Sequence, residues 1–260
     1  MPRRARLQGR LGFYHVMVRG NGKQILFEDE ADHEHYLHKL YFCFKEEGVV
    51  LLAWCLMDNH AHLLIWDESG SLPTAMARLN GSFATYYNDK YGHVGHVFQD
   101  RYRCEPIESQ RYLLEVVRYI HNNPEDAGVC RTEDYRWSSY SEYMGSPRYA
   151  NTNLILGLLG SRANFKAFCH EKTDASLRLR FTNDLSTEAL LEIAKEVTGS
   201  VDPTMVAALP RKERDSCLSR LRNVGFSLRQ IERLTGIAKG TIQYATRELD
   251  KNELPDDFVH

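Results

Sequence analysis

The sequence predicts an α+β fold: a ferredoxin-like antiparallel sheet with helices, followed by an all-α domain that contains a helix-turn-helix. In the first half of the chain, short apolar runs and longer segments with helical spacing follow one another in the order β-α-β-β-α-β-α. The first six of these elements match the ferredoxin-like split βαβ plan. From about residue 153 the apolar spacing is helical, and a capped pair of helical patterns at about residues 224–248 predicts the helix-turn-helix.

The elements of the sheet domain are predicted from side-chain spacing and from turn residues. The predicted strands are residues 11–19, 49–57, 60–66 and 102–107. The predicted helices are residues 29–47, about 72–90 and about 109–122. Gly48 ends the first helix, and Asp58-Asn59 form the turn of a tight hairpin. Pro124 is expected to end the third helix, because proline lacks the backbone N–H that a helix needs.

Composition limits the class of protein. The 260 residues carry a net charge of −2 and 43% apolar side chains, which is ordinary for a globular protein. Basic residues cluster in the first ten residues and in residues 211–247. Such clusters of basic residues are typical of surfaces that bind phosphate groups. Helix faces exposed to solvent are the alternative explanation of the same clusters. The six cysteines form no Cys-x-x-Cys pair and no apolar run approaches the ~20 residues of a membrane helix, so we expect a cytoplasmic protein with reduced thiols.

Two histidines lie one residue apart in the second strand of the predicted hairpin. Because the side chains of a strand alternate between its faces, His60 and His62 point to the same side. Two imidazoles on one side could converge on a metal ion. A half-buried strand with two polar residues on its wetter face is the simpler explanation of the pair, because so short a pattern also arises by chance in a chain with 11 histidines.

The end of the third predicted helix offers a further ligand and a nucleophile. Tyr119 and Asn123 are four residues apart and therefore share one helical face. A tyrosine hydroxyl beside a cation can attack a phosphodiester, because the cation favours phenolate and neutralises charge on the reacting oxygens. The alternatives are a packing role for Tyr119 and a capping role for Asn123. The joint pattern favours a metal held by His60, His62 and Asn123 beside a reactive tyrosine.

Three ordered motifs resemble those of a known family. They are NHAHLL (59–64), HVGHVFQDRYR (93–103) and YLLEVVRYIHNNP (112–124). In this order they resemble the IS200-like transposases of single-stranded DNA, and most closely the branch of REP-associated tyrosine transposases. The resemblance extends over roughly residues 10–145.

The resemblance implies an HUH-type, single-tyrosine endonuclease that uses Mg²⁺ or Mn²⁺. His60 and His62 match the histidine pair of the family, Tyr119 matches its nucleophile, and Asn123 matches the polar ligand four residues later. Family members cut single-stranded DNA near hairpins, hold the 5′-phosphate on tyrosine and can rejoin strands by the reverse reaction. An acidic pair at residues 125–126 stands where relatives usually carry basic or apolar residues, and such a pair weakens local phosphate contact.

Two segments are predicted to contact DNA. Arg101 and Arg103 are candidates to bind phosphates, and Tyr102 is a candidate to stack on a base. A salt-bridged edge strand is the alternative for this segment. In the helix-turn-helix, the outward residues that could reach bases or phosphates are Lys239, Thr241, Gln243 and Tyr244. Similar helix pairs also occur as packing motifs.

The expected protein nicks and rejoins single-stranded or hairpin DNA, with duplex DNA as a further partner of its C-terminal domain. The expected domains are residues 1–129, 130–152 (a linker or wrap-around segment) and 153–260. We expect a cytoplasmic, nucleoid-associated monomer or homodimer with no membrane partner. The alternatives are a catalytically silent DNA-binding regulator with the same fold, and a metal hydrolase in which water is the nucleophile.

Overall fold

The chain folds as two compact units, residues 1–173 and residues 174–260. The computed structural model describes residues 9–172, 187–199 and 201–247. The first of these units extends beyond the expected boundary after residue 152. The helix Arg162–Cys169 contacts the helix Gln110–Asp126 of the sheet domain, which agrees with this extent.

A four-stranded antiparallel sheet forms the centre of the first unit, which confirms the predicted fold class. Its strands are β1 (Phe13–Arg19), β2 (Val50–Met57), β3 (His60–Trp66) and β4 (Arg103–Ile107). Their order across the sheet is β2-β3-β1-β4, and each neighbouring pair is antiparallel. β3 therefore lies between two other strands, and its side chains project from the middle of the sheet.

Two helices, α1 (Glu30–Glu47) and α2 (Leu72–Tyr91), cover one face of this sheet. α1 begins with a capping box formed by Asp29 and Asp32 and ends at Gly48, whose φ of 71° suits glycine. Apolar side chains of both helices and of alternate strand positions form the main core. Each fully buried Leu or Phe in such a core stabilises the fold by about 1.5–3 kcal/mol.

A third helix, α3 (Gln110–Asp126), packs on the opposite face against β2 and β3. It continues two residues beyond Pro124, so the prediction that this proline ends the helix was wrong. Pro124 removes one hydrogen bond in the last turn. That turn is held from outside, because the Thr132 hydroxyl donates to the Asn122 side-chain oxygen and the Asn122 amide donates to the Cys169 carbonyl. Asn123 therefore stays helical.

The segment at residues 130–152 covers the edge strand β2. Its backbone pairs with β2 near Ser138, and α4 (Tyr140–Met144) follows directly. The buried Glu142 carboxylate accepts hydrogen bonds from Trp54 Nε1 and from the backbone N–H groups of residues 148–150. Covering an edge strand in this way prevents it from pairing with other chains. The next helices are α5 (Asn153–Leu159) and α6 (Arg162–Cys169).

The second unit has its own apolar core. The regular elements in its described residues are all helices. Its α-helices are α7 (Thr187–Thr198), α8 (Arg211–Val224), α9 (Leu228–Thr235) and α10 (Lys239–Ala245). Ser227 caps α9 in a capping box with Gln230, and Gly236 ends α9 with a φ of 71°. α9 and α10 therefore occupy the predicted helix-turn-helix segment. No helix of the described residues is long and apolar enough to cross a membrane.

Candidate active site

The alternation of β3 divides its side chains between two environments. Ala61, Leu63 and Ile65 enter the core beneath α1 and α2. His60 and His62 point to the opposite face, towards α3, as the spacing predicts. His62 is 1% exposed, whereas His60 is half-buried at the end of the strand.

α3 brings Tyr119 and Asn123 to these two histidines. The ring centroids of Tyr119 and His62 are 5.2 Å apart, and the rings are nearly perpendicular. One helical turn later, the Asn123 Oδ1 atom lies 3.3 Å from Nε2 of His60. The structure thus brings all four side chains together, although they come from two elements about 60 residues apart in sequence. Tyr119 is only 1% exposed.

A third imidazole, which sequence reasoning missed, completes the cluster. His15 of β1 is 2% exposed, and its Nε2 atom lies 3.0 Å from Nδ1 of His62. Its ring also contacts the Tyr119 ring, with centroids 5.8 Å apart. Strand alternation could have indicated this residue, because His15 and Arg19 share one face of β1 and Arg19 pairs directly with His60.

The electrostatic surroundings keep His62 neutral. Burial lowers its pKa well below the ordinary value, and the charges of His60, His15, Arg19 and Arg103 lower the pKa further. A neutral imidazole is the form that binds a metal ion. The two arginines are also cations close to the site, so an anionic phosphate is the complementary ligand.

The donor set fits a small divalent cation. Two ligand atoms bound to one ion at about 2.1 Å, and separated by an angle of about 90–105°, are about 3.0–3.3 Å from each other. The distance of 3.3 Å between His60 Nε2 and Asn123 Oδ1 falls within that interval. No group of three or more His, Cys, Asp or Glu side chains in the described part of the chain could hold a metal ion. The Asn123 amide adds an oxygen donor beside the two imidazoles.

The predicted DNA-contacting segment divides into exposed arginines and a buried tyrosine. Arg101 is exposed and lines an open cavity of about 670 Å³ between α2 and residues 95–102. Arg103 is exposed on β4, where its guanidinium lies 4.0 Å from the Glu105 carboxylate. Tyr102 is 8% exposed and packs in the main core. Because apolar side chains cover its ring, stacking of Tyr102 on a base stays a prediction that requires the ring to become exposed.

Other candidates for a catalytic role have structural partners. The Tyr112 hydroxyl donates to Glu105, and the Tyr86 hydroxyl donates to the buried Asp32. His93 is hydrogen-bonded to Asn88. These contacts give Tyr112, Tyr86 and His93 structural roles, whereas Tyr119 lies beside the histidine pair.

In the second unit, α10 presents the four predicted DNA-contacting side chains to solvent. The exposed residues are Lys239, Thr241, Gln243 and Tyr244. Lys239 is paired with Glu232 of α9 at 3.1 Å. Ile242, which lies between Thr241 and Gln243, is buried and packs in the core of this unit. The exposed side chains of α10 are therefore accessible to a partner. The charge of Lys239, one of these side chains, is balanced by Glu232.

Comparisons with known proteins agree with the motifs. Residues 11–123 match the family model described as "Transposase IS200 like". A solved REP-associated tyrosine transposase bound to a REP hairpin is 16% identical; the similarity covers 55% of this chain and 86% of that chain, with a TM-score of 0.48. A putative transposase from Deinococcus radiodurans R1 is 19% identical, with coverages of 46% and 97% and a TM-score of 0.34. No match is found among curated proteins.

The region that matches the family contains the whole site described above. It includes His15, His60, His62 and Tyr119, and it ends at Asn123. The resemblance inferred from the sequence motifs is thus confirmed. Residues 11–123 of this chain are similar to the IS200-like transposases.

Proposed function

We propose that this protein is a metal-dependent, HUH-type endonuclease and strand transferase that cuts single-stranded DNA beside hairpins through a covalent 5′-phosphotyrosine. The observation that carries the proposal is the placement of Tyr119 5.2 Å from His62 (ring centroids), with Asn123 Oδ1 3.3 Å from His60 Nε2. A candidate nucleophile and a metal-type donor set thus lie side by side on one face of the sheet. Both are needed to attack a phosphodiester at neutral pH.

The reaction follows from the side chains that are present. His60, His62 and Asn123 would hold Mg²⁺ or Mn²⁺, which when bound polarises the phosphate and favours the phenolate. The Tyr119 oxygen loses its proton and attacks phosphorus, and the bond from phosphorus to the 3′-oxygen breaks. The 3′-oxygen takes up a proton, which leaves a free 3′-OH and a 5′-phosphate on tyrosine. The reverse attack by a 3′-OH rejoins strands.

The two arginines near His62 would bind the phosphate and orient it. Arg19 and Arg103 carry the positive charge that lowers the pKa of His62. A phosphate oxygen between them would accept hydrogen bonds from both guanidinium groups and would place phosphorus on the Tyr119 side of the sheet. DNA would approach from the side of His60, which is the more exposed of the two histidines. Because Tyr119 is 1% exposed, some side chains that cover it must move before a phosphate reaches its hydroxyl.

That burial also favours a second candidate, a DNA-binding regulator without cleavage activity. A regulator would use the arginines of the sheet domain and the exposed face of α10 to bind DNA. It would need no access to Tyr119. The third possibility, a hydrolase that uses water, would cut DNA without forming a link to the protein.

One experiment separates these candidates. The full chain is incubated with labelled single-stranded DNA that contains a hairpin, with and without Mn²⁺, and the products are separated under denaturing conditions. The proposal predicts a Mn²⁺-dependent protein–DNA adduct that is lost in Tyr119→Phe. Tyr112→Phe is the matched control, since Tyr112 lies on the same helix and contacts Glu105.

The alternative results are equally specific. Cleavage without an adduct identifies a hydrolase. Tight binding with neither cleavage nor adduct identifies the regulator. An adduct that persists in Tyr119→Phe and disappears in another tyrosine variant would show that the nucleophile is misassigned.

A further inference from the structure

His60 and His62, the two histidines that face α3, each have a hydrogen-bond partner at the Nδ1 atom. Nδ1 of His60 lies 2.7 Å from Oδ1 of Asn59, in the hairpin turn. Nδ1 of His62 lies 3.0 Å from Nε2 of His15, on the neighbouring strand. In each case Nε2 is the other ring nitrogen, and in His60 it faces Asn123.

For His60 the partner decides which nitrogen carries the proton. The side-chain oxygen of Asn59 can only accept, so Nδ1 of His60 must be the donor. In the neutral ring Nε2 then holds a lone pair, and this lone pair faces another acceptor, Oδ1 of Asn123, at 3.3 Å. Two acceptors that face each other at this distance repel unless a proton on Nε2 or a bound cation lies between them. The arrangement therefore suits a positive charge shared by His60 and Asn123, and a metal ion bound by both atoms supplies it.

For His62 the corresponding partner is His15. We propose that His15 accepts a hydrogen bond from Nδ1–H of His62, and that His15 and Asn59 are positioning residues that fix both imidazoles with Nε2 as the metal-binding atom. This inference rests on the proposed function, because it assigns these two residues to the metal of that site. Such partners hold the ring orientation and increase the basicity of the ligand nitrogen.

His15 has a second contact that connects the metal ligand to the nucleophile. Its ring lies with its centroid 5.1 Å from that of His62 and 5.8 Å from that of Tyr119. His15 is 2% exposed, so neither contact is shared with bulk water. A substitution of His15 should therefore alter the orientation of the His62 ring. A substitution by an aromatic residue should keep the packing against the Tyr119 ring.

The test compares two substitutions at residue 15 in the full chain. His15→Phe keeps an aromatic ring but has no acceptor. His15→Gln has a side-chain oxygen that can occupy the place of Nε2. Mn²⁺ affinity is measured by titration calorimetry without DNA, and thermal unfolding checks that each variant is folded.

We expect His15→Phe to bind Mn²⁺ about 10–100-fold more weakly than the wild type, which is the usual effect of losing such a partner. His15→Gln should restore most of the affinity. In ¹⁵N-detected spectra of the wild type, the proton of His62 should be on Nδ1. In His15→Phe this preference should be lost.

Two results would overturn the inference: unchanged Mn²⁺ affinity in a folded His15→Phe, or a His62 proton on Nε2 in the wild type. If His15→Phe does not fold, the same comparison is made at His60. There Asn59→Ala removes the acceptor for Nδ1 of His60 and Asn59→Asp keeps one, and the substitution lies in the hairpin turn. Mn²⁺ binding that depends on residue 15 without any DNA adduct would contradict the proposed chemistry but not the positioning roles. A wild type that binds no Mn²⁺ would contradict both.

Discussion

At the residue scale, the chemistry of Tyr119 depends on its neighbours. An isolated tyrosine is a weak nucleophile because its pKa is about 10. In this protein its ring lies against His15 and His62, and Asn123 follows on the same helical face. None of these contacts can be assigned from one residue type alone, since the chain has 14 tyrosines and 11 histidines.

Arg19 and Arg103 should determine how strongly the sheet domain binds single-stranded DNA. Arg19→Gln and Arg103→Gln should each weaken binding and reduce the slope of log K against log salt concentration by about 0.7, the value for one phosphate contact on a single strand. The measurement is fluorescence anisotropy with a labelled oligonucleotide at several salt concentrations. Arg78→Gln is the control, since Arg78 is exposed and pairs with Glu46 and Glu47. Equal slopes for all three variants would exclude these arginines from the DNA path.

His33 should make the fold sensitive to acid. Its ring stacks on Phe27 and Trp137, its Nδ1–H donates to the Asp29 carbonyl, and burial lowers its pKa although nearby aspartates oppose the effect. Because the unfolded chain then binds the proton at higher pH than the folded protein, stability falls as the pH drops below about 6.5.

His33→Phe removes this titrating group and keeps a stacked ring. Between pH 7 and pH 5 the wild type should lose more free energy of unfolding than His33→Phe, by no more than about 2 kcal/mol. Urea unfolding at several pH values measures the difference. Parallel pH curves for the two proteins would contradict the assignment.

At the scale of elements, α3 is held from both sides. One face carries Tyr119 and Asn123 to the hairpin, as described above. The other face is tied to the segment that follows, since Nε2 of His121 lies 2.7 Å from the Ser139 hydroxyl and Asn122 donates to Cys169. Ser139, in the wrap-around segment at residues 130–152, and Cys169 of α6 therefore both anchor the helix that carries Tyr119.

Glu142 should stabilise this wrap-around segment more than an ordinary surface carboxylate does. Its buried carboxylate accepts from Trp54 and from three backbone N–H groups. Glu142→Ala leaves these donors without an acceptor and should lower the free energy of unfolding by about 3 kcal/mol or more. Urea unfolding measures the loss. Glu34→Ala is the control, because Glu34 is exposed and its contact with Arg136 is long, at 3.9 Å. A similarly small effect for both variants would argue against the role of Glu142.

At the scale of the whole molecule, the two units have separate apolar cores. Under the proposed function, cleavage of single strands would belong to the first unit and binding of duplex DNA to the second. The first unit contains the region that matches the transposase family, and the second contains α9 and α10.

The surface of α10 should contribute to duplex binding without affecting the cleavage chemistry. A variant with Thr241→Ala, Gln243→Ala and Tyr244→Ala changes exposed side chains only. It should weaken binding of duplex DNA several-fold and leave adduct formation on single-stranded hairpin DNA unchanged. Gel-shift titrations with duplex DNA measure the binding. Separation of the hairpin DNA products under denaturing conditions measures adduct formation. A parallel loss of adduct formation would contradict this division of roles.

The sequence alone determined the elements and the directions of their side chains. Period-2 alternation placed His60 and His62 on one strand face, helical spacing placed Tyr119 and Asn123 on one helix face, and the hairpin turn and capping residues marked element ends. These features depend on neighbouring residues, so they can be read locally. Tertiary structure alone decided that α3 lies on the histidine face, that His15 completes the cluster and that Tyr119 is buried. It also placed Tyr102 in the core and residues 153–169 in the first unit. Each of these outcomes depends on contacts between segments far apart in sequence, which no local spacing pattern specifies.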